Sequence, residues 1–355
     1  MIHNFNAGPS VLPKEVIIEA ADAVINFNNN GISILEIGHR TPQFTAIMEE
    51  ACSLVKELMA LDEDHEVLFL HGGASTQFMQ VPMNLLNPKD TAAYADTGVW
   101  SSKAIKEAKL FGKVDVVCSS KEKKYSYIPT DFAVPNDANY FHITTNNTIF
   151  GTQWQTIPQT SNVMVADMSS DIFSRQLNFN SFGLIYAGAQ KNLGPAGVTL
   201  VVVNKHILGK IKNPLPTMMD YRNHIAEGSM LNTPPVFAVY VCLLTLRWLK
   251  SVGGIAAMEK LNEEKAALLY HEIDQNDLFE TTVVKSARSR MNVCFNMKDS
   301  NLEKPFLDFA KENRIIGIKG HRLSGGFRAS LYNALPLSSV KILVEMMQDF
   351  SKRNS

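Results

Sequence analysis

Residues 186–197 read YAGAQKNLGPAG. One long cation, Lys191, stands among alanines, glycines and a proline. Just upstream, FGLIY reads as a short buried strand, so the lysine sits where a strand leaves the core. A lysine that only meets solvent needs no cleared surroundings, whereas one that bonds to a flat, bulky partner does. A Schiff base with an aldehyde cofactor demands room beside the amine and a setting that lowers its pKa. The plainer alternative is a solvated lysine at a strand-to-loop junction, where lysines are ordinarily found.

Working outward from this stretch, short and nearly continuous apolar runs alternate with helical ones. VLFL (67–70), TAAYA (91–95), YFHITTN (140–146), VMVAD (163–167), GLIYAG (183–188) and VTLVVV (198–203) suit strands buried on both faces of a mostly parallel sheet. EVIIEAADAVINF, FTAIMEEACSLVKELMAL and SSKAIKEAKLFG carry apolar residues at helical spacing. In NTPPVFAVY the prolines suit the first turn of a buried helix, which should stop at the glycines of SVGGI, 251–255. IAAMEKLNEEKAALLYHEI follows as a long amphipathic helix. Beyond it, RMNVCFNM, IIGIK and FRASLY read as strands, and FLDFAKENR and the C-terminal segment as helices. The pattern predicts an α/β chain with two domains. A large domain with a mostly parallel, helix-covered sheet occupies 15–255. A smaller C-terminal α+β domain occupies 256–355, joined by the N-terminal segment 1–14.

Composition bounds the function. The 355 residues are 45% hydrophobic and 19% charged, and the formal net charge of −1 creates no global field for nucleic acid or an anionic membrane. Anion binding must then come from local clusters. Cys52, Cys118, Cys242 and Cys294 are far apart and form no metal-ligand spacing, so no metal site is expected and a reducing compartment is. The N-terminus lacks the pattern of a signal peptide. The most apolar run, Val236 to Leu246, is shorter than the ~20 residues that span a bilayer. A cytoplasmic protein is expected.

Several residues could share chemistry with Lys191. Asp167 ends VMVAD, and carboxylates at the C-terminal ends of parallel strands face the ligand crevice of open α/β sheets. Read alone it also suits a turn cap. Beside a Schiff-base lysine it would keep the ring nitrogen of pyridoxal phosphate protonated, the condition for that cofactor to act as an electron sink. FLHGGASTQF offers a strand, two glycines, then Ala74, Ser75 and Thr76 opening a helix, a place for a phosphate or simply a capped turn. It lacks the lysine of a P-loop. Trp100, just past ADTG, could stack on a cofactor ring or fill the core. GHRTPQF supplies His39 and Arg40; GHRLSGGFRAS supplies His321, Arg322 and Arg328. Arginine matches carboxylates and phosphates with a two-pronged fork. On FRASLY, Arg328, Ser330 and Tyr332 share one strand face and Phe327, Ala329 and Leu331 the other. Surface salt bridges would explain each pair singly; two pairs together suggest a doubly anionic substrate.

With these residues assembled, the chain resembles the phosphoserine aminotransferase branch of the class V, fold-type-I pyridoxal phosphate enzymes. The resemblance runs nearly end to end, through FNAGPSVLP, GHRTPQF, FLHGGASTQF, VPMNLLNP, TGVWS, AGAQKNLGPAG, MLNTPP and GHRLSGGFRASLYNA. It implies ping-pong transfer of an amino group between L-glutamate and 3-phosphohydroxypyruvate, giving O-phospho-L-serine and 2-oxoglutarate. A related phosphorylated intermediate of pyridoxine synthesis is a further substrate of some relatives. It implies that Lys191 bonds the pyridoxal 5'-phosphate aldehyde and then shuttles the proton, with Asp167 on the ring nitrogen. It puts Trp100 on the ring face and Thr148 against the cofactor. Ala74, Ser75 and Gln190 would hold the phosphate, joined by Asn232 and Thr233 from the other subunit of a homodimer. His39, Arg40, His321, Arg322 and Arg328 would hold the substrate's anionic groups, Arg328 taking the α-carboxylate. Ser75 stands where some relatives have arginine, and Ala7 where some have serine. A cysteine desulfurase shares the lysine motif but needs a mobile nucleophilic cysteine, and the late candidate, Cys294, lies in a strand-like run. Serine–glyoxylate-type transamination is another rival, but two His-Arg pairs are excessive for a small, singly charged acceptor. The non-enzyme alternative is a module that binds cofactor or phosphate without turnover.

Overall fold

Residues 2–354 are described by a computed structural model. The chain opens with a two-residue strand β1 (His3–Asn4), then helices α1 (Lys14–Asn26) and α2 (Pro42–Met59). Strands and helices then alternate: β2 (His65–His71), α3 (Gly73–Leu85), β3 (Thr91–Asp96), α4 (Val99–Ala108) and β4 (Lys113–Ser119). Four further strands follow, β5 (Tyr140–Thr144), β6 (Val163–Asp167), β7 (Leu184–Gly188) and β8 (Val198–Asn204). These seven strands from β2 to β8 form one sheet in the order β2-β8-β7-β6-β5-β3-β4.

The central strands β5 and β7 are buried at every residue, as their unbroken apolar runs require. One strand runs against the rest. β8 is antiparallel to both β7 and β2, because residues 189–197 are too few for the crossover of a dozen or more residues that a parallel return needs. The connection that carries Lys191 is therefore a tight return at the C-terminal end of β7. Reversal at β8 leaves β2 pointing the same way as β3 to β7. The sheet's C-terminal edge thus gathers the exits of β2, β3, β5, β6 and β7, and this gathering positions the site.

β4 was not expected as a strand. It lies at the edge of the sheet, largely exposed, with Lys113 and Asp115 along it; charged residues on an edge strand discourage pairing with other chains.

After a short α5 (Tyr221–Ala226), helix α6 (Val236–Ser251) buries ten of its residues against α1 and α2, and α7 (Gly254–Gln275) follows. The prolines expected in the first turn of α6 instead precede it. Pro235 is the N-cap, and its carbonyl accepts the first helical bond from the Val239 amide. The proline ring biases the residue before it away from helical angles, so helix begins only after the pair. Gly253 and Gly254 adopt positive φ of 100° and 68° at the corner between α6 and α7, where the axes turn by 82°. Among the described residues no single helix is long and apolar enough to cross a membrane.

The last segment contains β9 (Phe279–Glu280), β10 (Asn292–Met297), α8 (Glu303–Glu312), β11 (Ile315–Ile316), β12 (Phe327–Ser330) and α9 (Leu337–Asn354). β12, β10 and β9 form an antiparallel sheet, while β11 pairs in parallel with β1. Three apolar cores result. One joins α1, α2 and α6 to a face of the large sheet, and a second lies under its other face against α3 and α4. The third unites Phe5 with residues from Ala266 to Phe350 around a cluster of edge-on phenylalanines. Phe327, Ala329 and Leu331 enter this third core, leaving Arg328 on the opposite face of β12.

Candidate active site

At the C-terminal edge of the large sheet a cavity of about 350 Å³ is lined by Ala74, Ser75, Trp100, Thr148, Asp167, Gln190, Lys191, His321 and Arg328, with Ala7, Gly8 and Ser169. A larger depression of about 710 Å³ lies elsewhere, lined by Phe132, Trp154, Gln155 and neighbours without a charged side chain. Titratable groups converge only on the smaller of these two, so the chemistry belongs there.

Lys191 is held from both sides. The Ser10 amide donates to the Gln190 carbonyl at 3.0 Å, and the Ser10 hydroxyl donates to the Lys191 carbonyl. The residues after Lys191 turn back sharply, the Leu193 and Gly194 amides both donating to the Ala189 carbonyl. Part of the smallness noted in the sequence serves packing rather than clearance: a Cβ on Gly194 would lie 2.4 Å from Cys242 Sγ of α6. The Lys191 Nζ donates to Thr148 Oγ1 at 2.8 Å and lies 5.3 Å from the centre of the Trp100 ring. Burial lowers its pKa to about 8, opposed by the Asp167 charge and reinforced by Arg328.

Asp167 ends β6 and is buried. Its Oδ1 accepts the Ser169 amide at 2.9 Å and the Ser169 hydroxyl at 2.6 Å. The Gly188 amide donates to Ser169 Oγ at 3.1 Å, which fixes that hydroxyl's direction. No hydrogen bond falls on Oδ2 among the described residues, so this oxygen is left to the cavity. Burial pushes the carboxyl up, against the pull of Lys191 and the two Ser169 bonds. Burial thus disfavours the charged form of both Asp167 and Lys191, and each group's charge partly offsets the effect on the other.

The other walls come from neighbouring strand exits. Gly72 and Gly73 take φ of 96° and 68° between β2 and α3, and the α3 amides of Gly73, Ala74 and Ser75 have no intrahelical acceptor. The Thr76 hydroxyl turns back to the Gly72 carbonyl at 3.0 Å. Trp100 stands in the first turn of α4. Asn147 ties that turn to the β5 exit: its side chain donates to the Thr97 carbonyl at 2.7 Å and accepts the Ile149 amide at 3.1 Å, shaping the bend that presents Thr148. Arg328 Nη1 donates to the Thr148 carbonyl at 3.2 Å, and its Nε is buried without a partner. His321 Nδ1 accepts the Leu323 amide at 3.2 Å, which leaves Nε2 as the donor of the neutral ring. Burial, then the charges of Arg328, Arg322 and Lys103, hold that ring below its ordinary pKa.

Nine of the fourteen expected site residues therefore meet in one cavity. Five do not. Arg322 is exposed beside His321, and His39 and Arg40 lie on the loop before α2, all outside the lining. Asn232 lines a separate depression with His71, Gly72 and Thr76. Thr233 is exposed, and its carbonyl accepts His71 Nε2 at 2.8 Å. Ser10, Asn147 and Ser169 escaped the sequence reading. The one signal for Ser169 was its place two residues after a strand-ending aspartate. Cys294 lies outside the cavity, its thiol pushed up to about 12 by burial and donating to the Ile149 carbonyl at 3.4 Å, which removes it as a nucleophile.

The chain belongs to the class-V aminotransferases: the family described as Aminotransferase class-V matches residues 2–343. Within that family it is similar to phosphoserine aminotransferases. That of Azobacteroides pseudotrichonymphae is 54% identical over 352 residues, covering 99% of this chain and 98% of the relative. The solved phosphoserine aminotransferase of Bacillus circulans subsp. alkalophilus superposes with a TM-score of 0.97 at 41% identity, covering 100% of this chain and 99% of the other. The pyridoxal-phosphate-bound one of Trichomonas vaginalis gives 0.93 at 35% identity, covering 98% and 100%.

Proposed function

We propose that this chain transfers the amino group of L-glutamate to 3-phosphohydroxypyruvate, yielding O-phospho-L-serine and 2-oxoglutarate, with pyridoxal phosphate as cofactor. The observation that carries this reading is the pairing of Lys191 and Asp167 in one cavity that also presents unbonded α3 amides and an arginine with no acid partner. The residues fit the cofactor. A lysine with a lowered pKa, a buried carboxylate with a free oxygen, a flat indole and a helix N-terminus answer its aldehyde, ring nitrogen, ring face and phosphate in turn.

When bound, pyridoxal phosphate supplies an aldehyde that takes up amines and a ring that withdraws electrons from the substrate's Cα. Lys191 would hold the aldehyde carbon at rest. With the substrate amine in its place, the freed Nζ would be the base that takes the Cα proton and returns it across the nitrogen to the former aldehyde carbon. With a pKa near 8, a useful share of this amine is unprotonated near neutral pH. Thr148 Oγ1 accepts an Nζ hydrogen and so holds the amine in place. Asp167 would hold the ring N–H through Oδ2, the two Ser169 bonds orienting the carboxylate and favouring its charged form against burial. Trp100 would cover the ring, and Ala74, Ser75 and Gln190 would hold the phosphate. Arg328 takes the α-carboxylate and His321 adds a donor beside it.

We also infer that residues 256–355, with the N-terminal segment 1–14, form a small domain. The working unit is read as a cytoplasmic homodimer in which His39, Arg40, Arg322, Asn232 and Thr233 complete the sites. Four free cysteines suit that reducing compartment. Purified holoprotein should change its absorption on addition of glutamate and regain it with 3-phosphohydroxypyruvate, one phosphoserine appearing per site. If the oxo acid fails to restore the spectrum, the acceptor is wrong.

Two substitutions separate the roles. Asp167→Asn should lower kcat by about a hundredfold or more, about 2.7 kcal/mol, while cofactor retention falls far less; a kcat within about threefold of wild type would reduce Asp167 to a turn cap. Arg328→Ala should weaken both half-reactions, since every substrate carries an α-carboxylate, by the ~1.5–3 kcal/mol of a charge-assisted hydrogen bond. A defect confined to one substrate would move Arg328 to the distal anion.

A further inference from the structure

Lys103 is a cation without an evident duty. It stands three residues after Trp100 on α4, so the two side chains share a helix face. Its Nζ lies 4.6 Å from the centre of the indole ring, and no carboxylate pairs with it among the described residues. Its charge is felt at His321 together with those of Arg328 and Arg322. The charges of Lys103, Arg322 and Arg328 are thus all felt at His321, which lines the cavity with Trp100 and Arg328, while the carboxylate in the lining, Asp167, is tied to Ser169. Lys103 is itself exposed, with its ammonium over the indole face rather than in the cavity lining.

We propose that Lys103 is a specificity-determining residue for the distal group of the substrate, adding a positive charge that favours a phosphate over an uncharged end. This rests on the aminotransferase reading above. With Arg328 taking the α-carboxylate, Lys103 would add to the cations left for the distal group, Arg322 among them, and a phosphate dianion gains more from an added cation than a monoanion does.

The test compares O-phospho-L-serine with L-serine in the amino-donating half-reaction of the holoenzyme, followed by absorbance. The variants are Lys103→Met, which keeps an unbranched side chain without the charge, and Lys103→Arg, which keeps the charge. Lys103→Met should lose about five- to tenfold in kcat/KM for phosphoserine, mostly in KM, and remain within about twofold for serine. Its phosphoserine rate should also depend less on salt than that of the wild type. Lys103→Arg should stay within about threefold of wild type for both. Equal losses for the two substrates would make Lys103 a prop for Trp100 and overturn the proposal, as would no loss at all. A wild type that does not itself prefer phosphoserine would overturn the phosphorylated substrate proposed above, and this proposal with it.

Discussion

Replacing Lys191 with alanine is expected to lower turnover by about a thousandfold or more, combining the loss of the covalent anchor with that of a base worth ~10²–10⁴-fold. The fold should survive, because the side chain makes one hydrogen bond, to Thr148, and the loop is held through its backbone by Ser10. One other buried lysine has a comparably lowered pKa, Lys265 on α7, at about 7. It cannot substitute. Its Nζ donates to the carbonyls of Leu331, Tyr332 and Leu335 and lies outside the cavity. Borohydride should therefore fix the cofactor to Lys191 in the wild type and to no residue in the variant. The vacated space should admit a small primary amine, so added methylamine should return part of the lost rate. A reduced adduct on a different lysine, or a kcat within tenfold of wild type, would sink the assignment.

The contrast between these two lysines shows where the sequence could be read. Lys191 announces itself because small residues surround it in the chain. Lys265 sits in a helix of ordinary amphipathic pattern and reads as one more solvated cation. Only the three-dimensional meeting of α7 with residues 331–335 shows it holding three carbonyls. VMVAD became a strand with its expected ends, since an unbroken apolar run leaves a central strand no alternative. β4 did not stand out, because an edge strand half in water shows neither an apolar run nor clean alternation. The reversal of β8 was likewise silent: VTLVVV is equally apolar in either direction, and only the shortness of 189–197 decides it. At the site, residue type revealed Lys191, Asp167 and the arginines. Thr148 came from the family resemblance alone. Ser169 and Asn147 act by orienting others, and a small polar residue in a loop looks the same whether it orients a catalytic group or caps a turn. For His39, Arg40, Arg322, Asn232 and Thr233 no pattern along one chain can say which subunit's cavity they serve.

Two mutants that are each dead should revive one another if the site is shared between subunits. Thr233 has no local duty as a helix cap: the N-cap of α6 is Pro235, with no side-chain cap bond. Asn232 stands outside its own chain's cavity, yet its depression adjoins Gly72 and Thr76 at the start of α3. It could therefore serve a phosphate in its own chain or in the partner. Take Lys191→Ala as one parent and Asn232→Asp with Thr233→Ala as the other, the added carboxylate repelling the cofactor phosphate. If Asn232 and Thr233 act across the interface, a mixed dimer collects both defects in one site and neither in the other. Random pairing makes half of the dimers mixed, so co-refolded parents should recover about a quarter of the wild-type activity, while each refolded alone stays nearly inactive. If Asn232 instead serves its own chain, every site in the mixed dimer keeps one defect. Verified heterodimers without activity would then confine the phosphate site to a single subunit.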